Sequence, residues 1–368
     1  MSTLISFLKR EAVLCITALC ATATMFWVPP SAAYGSYLDL RVLALLFCLM
    51  AVVAGLQGCG LFARMAYKLL AGRRPLRLLS LVLVLLPFFS AMLVTNDVAL
   101  ITFVPFAILV LGLAGEARLT PWVVVLQTIA ANLGSMATPV GNPQNLYLYS
   151  AFSLSAGDFF RAVLPFTALS LALLIPLALC VPGRVLHITL PNGLQPLQLR
   201  GLALFGTLFA GCLLTVFRVL PWPVLLAALV LFSRPTLARV DYGLLLTFVC
   251  FFIFAGNLGQ IPAARSFLSG LMARYPLSAG AAVSQVISNV PAAVLLADFT
   301  QNWRGLLLGV DLGGLGTPVA SLASLISLKL YFRAPDAQPG RYLALFLGLN
   351  LVFLAVLYGA ALLFTGLQ

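Results

Sequence analysis

The chain has 368 residues, of which 62% are hydrophobic and only 8% are charged, and its mean hydropathy is +1.10. Soluble domains carry charge on about a quarter of their residues, so this composition excludes an ordinary water-soluble fold. The formal net charge of +12 does not indicate nucleic-acid binding, because Lys and Arg lie mainly in short loops and do not alternate with stacking aromatic residues.

Long apolar runs predict an all-α polytopic membrane protein. A helix needs about 20 apolar residues to cross the hydrocarbon layer. A β-barrel is disfavoured, because these runs are apolar on every face instead of alternating. The N-terminal run is longer than that of a typical signal peptide, so we treat it as an uncleaved helix. Continuous membrane helices are predicted near residues 12–28, 38–57, 162–181, 201–218, 222–233, 241–258 and 342–364.

Four further apolar regions are interrupted by polar residues, Gly or Pro. An unsatisfied backbone group costs several kcal/mol in hydrocarbon, so such breaks persist only where they face protein, water or ligand. We predict that the first and third regions are re-entrant hairpins and that the second and fourth are broken transmembrane helices. In chain order they are 78–114 broken at Thr95 to Asp97, 121–152 broken at Gly134 to Pro143, 277–297 broken at Ser288 to Pro291, and 305–328 broken at Gly313 to Pro318.

The distribution of positive charge predicts the orientation. With a cytoplasmic N-terminus and two hairpins that enter and leave on the same side, most Lys and Arg residues fall in inside loops. We therefore predict hairpins that open to opposite sides, in a multi-pass protein of a bacterial-type inner (plasma) membrane. The residues left outside are Arg41, Arg161, Arg218, Arg265, Arg274 and Arg304.

Three sequence motifs recur in the same order in the two halves. Ala54, Gly55, Gly58, Ala63 and Arg64 repeat with the same spacing as Ala255, Gly256, Gly259, Ala264 and Arg265; Thr95-Asn96-Asp97 is matched by Ser288-Asn289-Val290; and Asn132 to Val140 is matched by Asp311 to Val319. Because the halves begin on opposite sides, this predicts an inverted repeat of residues 1–199 and 200–368. Many secondary transporters use this arrangement around a site near the membrane midplane.

The breaks supply the candidate binding residues. Helix N-termini attract anions, and unwound carbonyl groups suit Na⁺. Asp97 and Asp311 are the carboxylates at the breaks and could each carry a coupling proton, although Asp97 could equally cap the following helix. Asp311 stands where the other half has Asn132. The candidate substrate- and ion-binding residues are Thr95, Asn96, Asp97, Thr138, Pro139, Gly141, Asn142, Asn145, Ser288, Asn289, Asp311, Gly313, Gly314, Thr317, Ser321 and Ser324.

The stretches 93–100 and 131–145, with Ser288-Asn289 and 313–324, resemble the ArsB/NhaD-like permeases of the ion transporter superfamily, which includes divalent anion/Na⁺ symporters and citrate-transporter-like proteins. The resemblance implies that Thr95, Asn96, Ser288 and Asn289 face the substrate, and that the loops 134–145 and 313–324 bind substrate or coupling cation. It also implies an elevator-like motion and a homodimer. The tips read Thr-Asn-Asp and Ser-Asn-Val instead of the symporters' usual Ser-Asn-Thr, which favours the arsenite-permease and antiporter branch.

The leading functional hypothesis is a secondary active permease for a small anion or oxyanion, coupled to an ion or to the membrane potential. The alternatives are a Na⁺/H⁺ antiporter and a non-transport structural subunit. No enzyme is predicted, because the sequence has no P-loop, His-Glu-x-x-His or serine-nucleophile motif. We expect no cofactor and no metal site beyond a bound Na⁺ or a coupling H⁺, and partners limited to the substrate, the bilayer and a second copy of the chain.

Overall fold

The computed structural model describes residues 12–32, 34–61, 64–65, 72–188 and 197–365. Lys9, Arg10 and Lys68, which the charge rule assigns to the cytoplasmic side, lie outside the described residues, as does Ala63 of the first repeated motif. The described chain is nearly all helical, which confirms the predicted fold class.

Eight helices have bounds within the described residues of the first half. They are α1 (Ala12–Thr24), α2 (Tyr34–Tyr37), α3 (Leu40–Gly58), α4 (Leu76–Val94), α5 (Asn96–Leu113), α6 (Thr120–Ser135), α7 (Pro143–Ala151) and α8 (Ala156–Leu179), with a 3-10 turn at Ala117–Leu119. Strands β1 (Gly72–Pro75) and β2 (Val185–Ile188) pair antiparallel, with Arg73 opposite His187. This ribbon departs from the all-α prediction. Its pairing joins the segment before α4 to the segment after α8.

The described part of the second half contains ten helices. They are α9 (Leu199–Val216), α10 (Trp222–Phe232), α11 (Arg234–Leu237), α12 (Tyr242–Gln260), α13 (Pro262–Arg274), α14 (Pro276–Ile287), α15 (Asn289–Ala297), α16 (Trp303–Leu312), α17 (Leu322–Phe332) and α18 (Pro339–Thr365), with a 3-10 turn at Pro318–Ala320. Within the described residues, seven helices are long and apolar enough to cross a membrane: α3, α4, α5, α8, α9, α12 and α18.

Two predicted crossings are shorter than expected. The described part of α1 ends at Thr24 instead of residue 28, and the 11 residues of α10 span only about 16 Å at 1.5 Å per residue. The hydrocarbon layer is about 30 Å thick, so α10 does not cross it alone. Helix α13 was not predicted, because Arg265 and Arg274 lower its hydropathy below that of a membrane span.

Helices α4 and α5 form a hairpin, although each is long enough to cross a membrane. The start of α4 lies beside the loop after α8, where the Arg77 side chain donates a hydrogen bond to the Val181 carbonyl. Glu116, three residues after the end of α5, reaches the same loop, because it forms an ion pair with Arg184 at 3.5 Å. Both ends of the region 76–116 therefore lie at one end of the molecule. We call this region hairpin 1.

Helices α14 and α15 form the second hairpin. Thr300, just after α15, donates a hydrogen bond to the Met272 carbonyl near the end of α13, so the chain returns to the end where α14 begins. Helix α15 packs beside α7, the part of the broken helix farther from the opening of hairpin 1. This region, 276–300, is hairpin 2.

The repeated Ala-Gly motif lets aromatic rings approach the backbone of α3 and α12. A methyl group placed on Gly55 would collide with the Phe205 ring of α9, and one on Gly256 would collide with the Tyr37 ring of α2. The glycine of each half is thus covered by a ring from the other half. These close approaches explain why Gly occupies both positions in otherwise bulky apolar helices.

Candidate functional site

The two hairpin tips share an unusual backbone conformation. Thr95 has φ 65° and ψ 149°, and Ser288 has φ 76° and ψ 155°. Side-chain-bearing residues rarely adopt this region, which costs roughly 1–3 kcal/mol and persists only where surrounding contacts enforce it. The same strain at the same position of both hairpins marks the tips as specialised structures.

Matching hydrogen bonds hold each tip against a broken helix. The Thr138 hydroxyl donates to the Met92 carbonyl at 2.5 Å, and the Thr317 hydroxyl donates to the Gln285 carbonyl at 3.2 Å. Met92 and Gln285 each lie three residues before the tip residue of their hairpin. The Thr-Pro-Val motif of each half therefore serves the same purpose, which is to fix the hairpin tip beside the break.

The breaks come close to the tips because small residues allow it. The backbone N–H of Asn96 donates a hydrogen bond to the Gly141 carbonyl at 3.2 Å, and the Ser288 hydroxyl donates one to the Ala320 carbonyl at 3.4 Å. A methyl on Gly141 would overlap the Ser135 carbonyl. Four helices, α5, α7, α15 and α17, begin at these tips and breaks, so four positive helix ends meet in one region.

Asn132 joins the two halves at the centre of this region. Its side-chain oxygen accepts hydrogen bonds from Asn96 and from Ser321, both at 3.0 Å, and its nitrogen donates to Ser324 at 3.2 Å. All four side chains are buried. One residue of the first broken helix thus contacts its own hairpin tip and the opposite broken helix.

Asp311 makes the reciprocal contact from the second half. Its Oδ1 accepts hydrogen bonds from Asn142 at 3.4 Å and from Gln144 at 3.3 Å, and only 3% of the residue is exposed. Asn142 is the N-cap of α7, and its side-chain oxygen accepts a hydrogen bond from the backbone N–H of Asn145 at 2.9 Å. The two repeat-related positions, Asn132 and Asp311, both bind across the boundary between the halves.

A third polar contact lies farther along the same helices. Thr128 of α6 and Ser327 of α17 are hydrogen bonded at 2.5 Å, and Ser327 also contacts the Tyr342 hydroxyl of α18 at 3.1 Å. All three are buried. The broken helices are therefore joined by polar contacts on both their central and their peripheral turns.

A cavity of about 260 Å³ lies between hairpin 1, α3 and the turn before α12. Its polar lining consists of Gln57, Thr95, Asp97, Asn142, Arg239 and Asp241. The volume is below the roughly 300–1,000 Å³ of pockets that hold drug-sized ligands, so it suits a small solute. Two carboxylates and one guanidinium give its lining a formal charge of −1.

A larger cavity of about 590 Å³ lies between α1, α12 and hairpin 2. It reaches the second tip, but among the described residues that line it only Thr17 and Ser288 carry a hydroxyl, and the rest are apolar apart from Cys20. The smaller cavity is the better candidate for a polar solute, because charged and hydrogen-bonding groups line it.

The structure shows that Asp97 does not cap α5. The N-cap position is Thr95, whose side chain makes no capping hydrogen bond. The backbone N–H of Asp97 donates a hydrogen bond to the side-chain oxygen of Asn96 at 3.0 Å. Asp97 lies in the first turn with its carboxylate on the 260 Å³ cavity. The capping alternative is therefore wrong.

The other predicted residues lie in the same central region. Asn145 donates to the carbonyls of Met136 and Thr138, and Pro139 is buried in the segment between α6 and α7. Gly313 packs against α14, and Gly314 leaves room for Asn289, whose nitrogen would lie 2.9 Å from a methyl placed there.

Sequence reasoning missed several polar residues of the site. Asn132 was recognised only as the counterpart of Asp311, although its place in a repeated motif was a usable signal. Gln285 and Gln144 are buried or half-buried amides in apolar surroundings, which is also a signal. Arg239 and Asp241 carry no local signal, since only tertiary packing brings their turn to hairpin 1.

Comparison with known proteins supports transport. Residues 3–303 match the family model CitMHS, described as "Citrate transporter". The chain is 30% identical over 316 residues to the inner membrane protein YbiR of Escherichia coli, which covers 83% of this chain and 84% of YbiR. It is 37% identical over 153 residues to the silicon efflux transporter LSI3 of Oryza sativa, which covers 40% of this chain and 30% of LSI3.

The fold is similar to that of the YdaH transporter of Alcanivorax borkumensis, whose crystal structure was described as showing an unusual topology. The TM-score is 0.60, the sequence identity is 14%, and the match covers 91% of this chain and 87% of YdaH. At this identity the likeness concerns the fold.

Proposed function

Because the chain belongs to the citrate transporter family, we propose that it is a secondary active permease for a small anion or oxyanion, coupled to H⁺ or Na⁺. The observation that carries the proposal is the meeting of the first hairpin tip and both broken helices in one hydrogen-bonded cluster around Asn132. The second hairpin tip is bonded to Ala320, next to this cluster. In this proposal residues 1–199 and 200–368 are the two repeats, and the N-terminus is cytoplasmic.

The charges of the 260 Å³ cavity support coupling. Asp97 and Asp241 outnumber Arg239, so an anion entering alone would face a net negative lining. Entry together with a proton or a cation removes that repulsion, since opposite charges within a few ångström offset one another. The positive ends of α5 and α7 at the cavity favour the anion itself.

The substrate class follows from size and donors. Hydroxyl, amide and guanidinium groups suit oxygen-rich solutes, and 260 Å³ suits small ones. Candidates are silicate, suggested by the silicon efflux transporter LSI3, a small carboxylate, suggested by the family description, and arsenite, phosphate or sulfate.

The test is uptake by the purified protein in liposomes. Each candidate is supplied with and without a pH gradient and with and without a Na⁺ gradient. We expect one class to accumulate only with a gradient, and Arg239→Gln to abolish that accumulation. Arg234→Gln is the matched control, because Arg234 is exposed at the start of α11 and, among the described residues, donates a hydrogen bond to the Val230 carbonyl of the preceding helix. The absence of gradient-dependent uptake for the whole panel contradicts the proposal.

The second candidate is a Na⁺/H⁺ antiporter, favoured by the carboxylates Asp97 and Asp311 at the breaks. In that case Na⁺ alone drives proton movement, with no anion present. The double substitution Asp97→Asn with Asp311→Asn would abolish this exchange. The same double variant should still bind an anion if the leading proposal is right.

A further inference from the structure

A third cavity draws its described lining from outside the hairpins and the breaks. It has a volume of about 340 Å³ and lies where α3 and α10 begin and α9 ends. Two arginines and no described acidic residue give its lining a formal charge of +2. The lining residues are Arg41, Arg218, Val219, Leu220, Pro221 and Trp222.

One backbone carbonyl holds the two arginines together. The Thr215 carbonyl, in the last turn of α9, accepts a hydrogen bond from Nη2 of Arg41 at 3.2 Å and another from the backbone N–H of Arg218 at 3.1 Å. The half-buried Arg41 side chain is therefore fixed beside the turn that carries Arg218. A guanidinium has several N–H donors in a rigid plane, so this single bond leaves others of Arg41 for a ligand.

Arg218 occupies a backbone position that favours glycine. The backbone N–H groups of Arg218 and Val219 close the end of α9 by donating to the carbonyls of Thr215 at 3.1 Å and Leu214 at 2.8 Å. In this type of helix end the first residue beyond the helix is left-handed, and Arg218 accordingly has φ 63°. Glycine is usual there, because a Cβ is strained in that conformation. An arginine at such a position indicates that its side chain has a use.

Neither arginine forms an ion pair with a described acidic residue. The acidic residue nearest in sequence is Asp39, and its carboxylate caps α3 by accepting a hydrogen bond from the Val42 N–H at 3.0 Å. The Arg218 side chain is exposed. Two positive charges without a described counter-charge therefore share one cavity.

Membrane topology does not explain these two charges. Arg41 and Arg218 are among the basic residues that the predicted orientation leaves outside, where the positive-inside rule does not favour them. Arg41 also lies in the first turn of α3, where the helix dipole disfavours a cation. The positive ends of α3 and α10 add to the charge of the arginines, so the cavity attracts an anion.

We infer that Arg41 and Arg218 bind the phosphate group of an anionic ligand at the membrane surface. Guanidinium groups suit phosphate, because their planar N–H donors pair with two of its oxygens at once. Trp222 at the start of α10 is typical of the boundary between lipid and water. Two sources supply a phosphate group at that boundary, namely the headgroup of an anionic phospholipid and free phosphate in the adjoining water. The site is independent of the proposed transport function, since it uses no residue of the tips or breaks.

The experiment measures binding by the purified full-length protein in an uncharged detergent. One arm adds sodium phosphate and compares it with sodium chloride at the same ionic strength. The other arm adds phosphatidylglycerol to the micelles and compares it with phosphatidylcholine, whose headgroup has no net charge. The melting temperature is recorded in both arms, because a ligand of the folded state raises it in proportion to its occupancy. The concentration that gives half of the rise measures affinity.

Arg218→Gly is the main test variant, because it removes the guanidinium and suits φ 63°, so the turn still forms. Arg41→Gln is the second. Each should raise the half-saturating concentration at least about tenfold, since a hydrogen bond to a charged group is worth at least that factor. Arg265→Gln is the matched control and should leave it unchanged, because Arg265 is exposed on α13 and is predicted to lie on the same side of the membrane.

The two arms identify the source of the phosphate group. A rise with phosphatidylglycerol alone, weakened in Arg218→Gly, supports a lipid headgroup, and a rise with inorganic phosphate, weakened in the same variant, supports free phosphate. The inference is overturned if neither probe raises the melting temperature more than its comparison compound. It is also overturned if the rise is unchanged in Arg218→Gly, because the ligand then binds elsewhere, for example in the 260 Å³ cavity.

Discussion

The side-chain oxygen of Asn132 accepts a 3.0 Å hydrogen bond from the hydroxyl of Ser321, so the first broken helix is bonded directly to the second. The same oxygen accepts a bond from Asn96 at the tip of hairpin 1. Three of the four interrupted regions thus meet at a single amide. The predictions below test this arrangement and the hairpins around it.

Asn132→Ala should remove one of the hydrogen-bonded links between the halves, the one that also holds the tip of hairpin 1. The substitution leaves Asn96, Ser321 and Ser324 without this partner in a buried setting, and each unsatisfied group costs about 1–3 kcal/mol. We expect a lower melting temperature and loss of substrate binding. Thr207→Ala is the control, because Thr207 is exposed on α9 and bonds only within its helix. Equal melting of the two variants would contradict the central role of Asn132.

Gly134→Ala should disrupt the packing of α6 on hairpin 1. The added methyl would overlap the Phe88 backbone carbonyl, which cannot move without displacing α4. Overpacking of this kind typically costs about 1–3 kcal/mol.

Gly206→Ala provides the comparison, because no atom lies within 4 Å of the new methyl group. Alanine in a helix interior is favoured over glycine by roughly 0.5–1 kcal/mol in soluble helices. Thermal melting should therefore show a loss for Gly134→Ala and no loss for Gly206→Ala. The reverse order would refute the close approach of α6 to α4.

Replacement of Thr95 should reveal backbone strain at the first tip. At φ 65° glycine is less strained than alanine, so we expect Thr95→Gly to be more stable than Thr95→Ala by up to about 1 kcal/mol. At Thr207, in a regular helix, the order should be opposite. Melting curves of the four variants test both comparisons, and a more stable Thr95→Ala would exclude strain at the tip.

The labelling of single cysteines should show which ends of the hairpins share a side. In a background without the seven native cysteines, Arg73→Cys and Arg118→Cys flank hairpin 1, and Arg274→Cys and Gln301→Cys flank hairpin 2. All four positions are exposed. A membrane-impermeant thiol reagent should label each pair from one face only, and the two pairs from opposite faces. Labelling of Arg73→Cys and Arg118→Cys from different faces would mean that the chain between them crosses an odd number of times, which contradicts a hairpin that enters and leaves on one side.

The positions of the tips and breaks were predictable because polar triplets, Gly and Pro stand out in an apolar sequence. Thr95-Asn96-Asp97 and the stretch 134–143 fall within a residue or two of the observed helix ends. Helix interiors could not be assigned partners in the same way. The contact between Asn132 and Ser324 joins residues 192 positions apart and depends on packing that no local pattern encodes.

The cavity and the ribbon were not predictable for related reasons. Arg239 lies in a surface turn that is ordinary in sequence and becomes part of a cavity only through its position beside hairpin 1. Strand β1 has the sequence Gly-Arg-Arg-Pro, which has no strand propensity. It pairs with β2 because the folding of α4 to α8 brings the two ends of that segment together.

The β1–β2 ribbon has a mechanical consequence. It ties together the entrance and the exit of residues 72–188, the segment that contains hairpin 1, the first broken helix and Asn132. The polypeptide therefore joins this segment to the rest of the protein at two neighbouring points. Any movement of this segment relative to the rest of the chain would therefore leave its two covalent connections side by side.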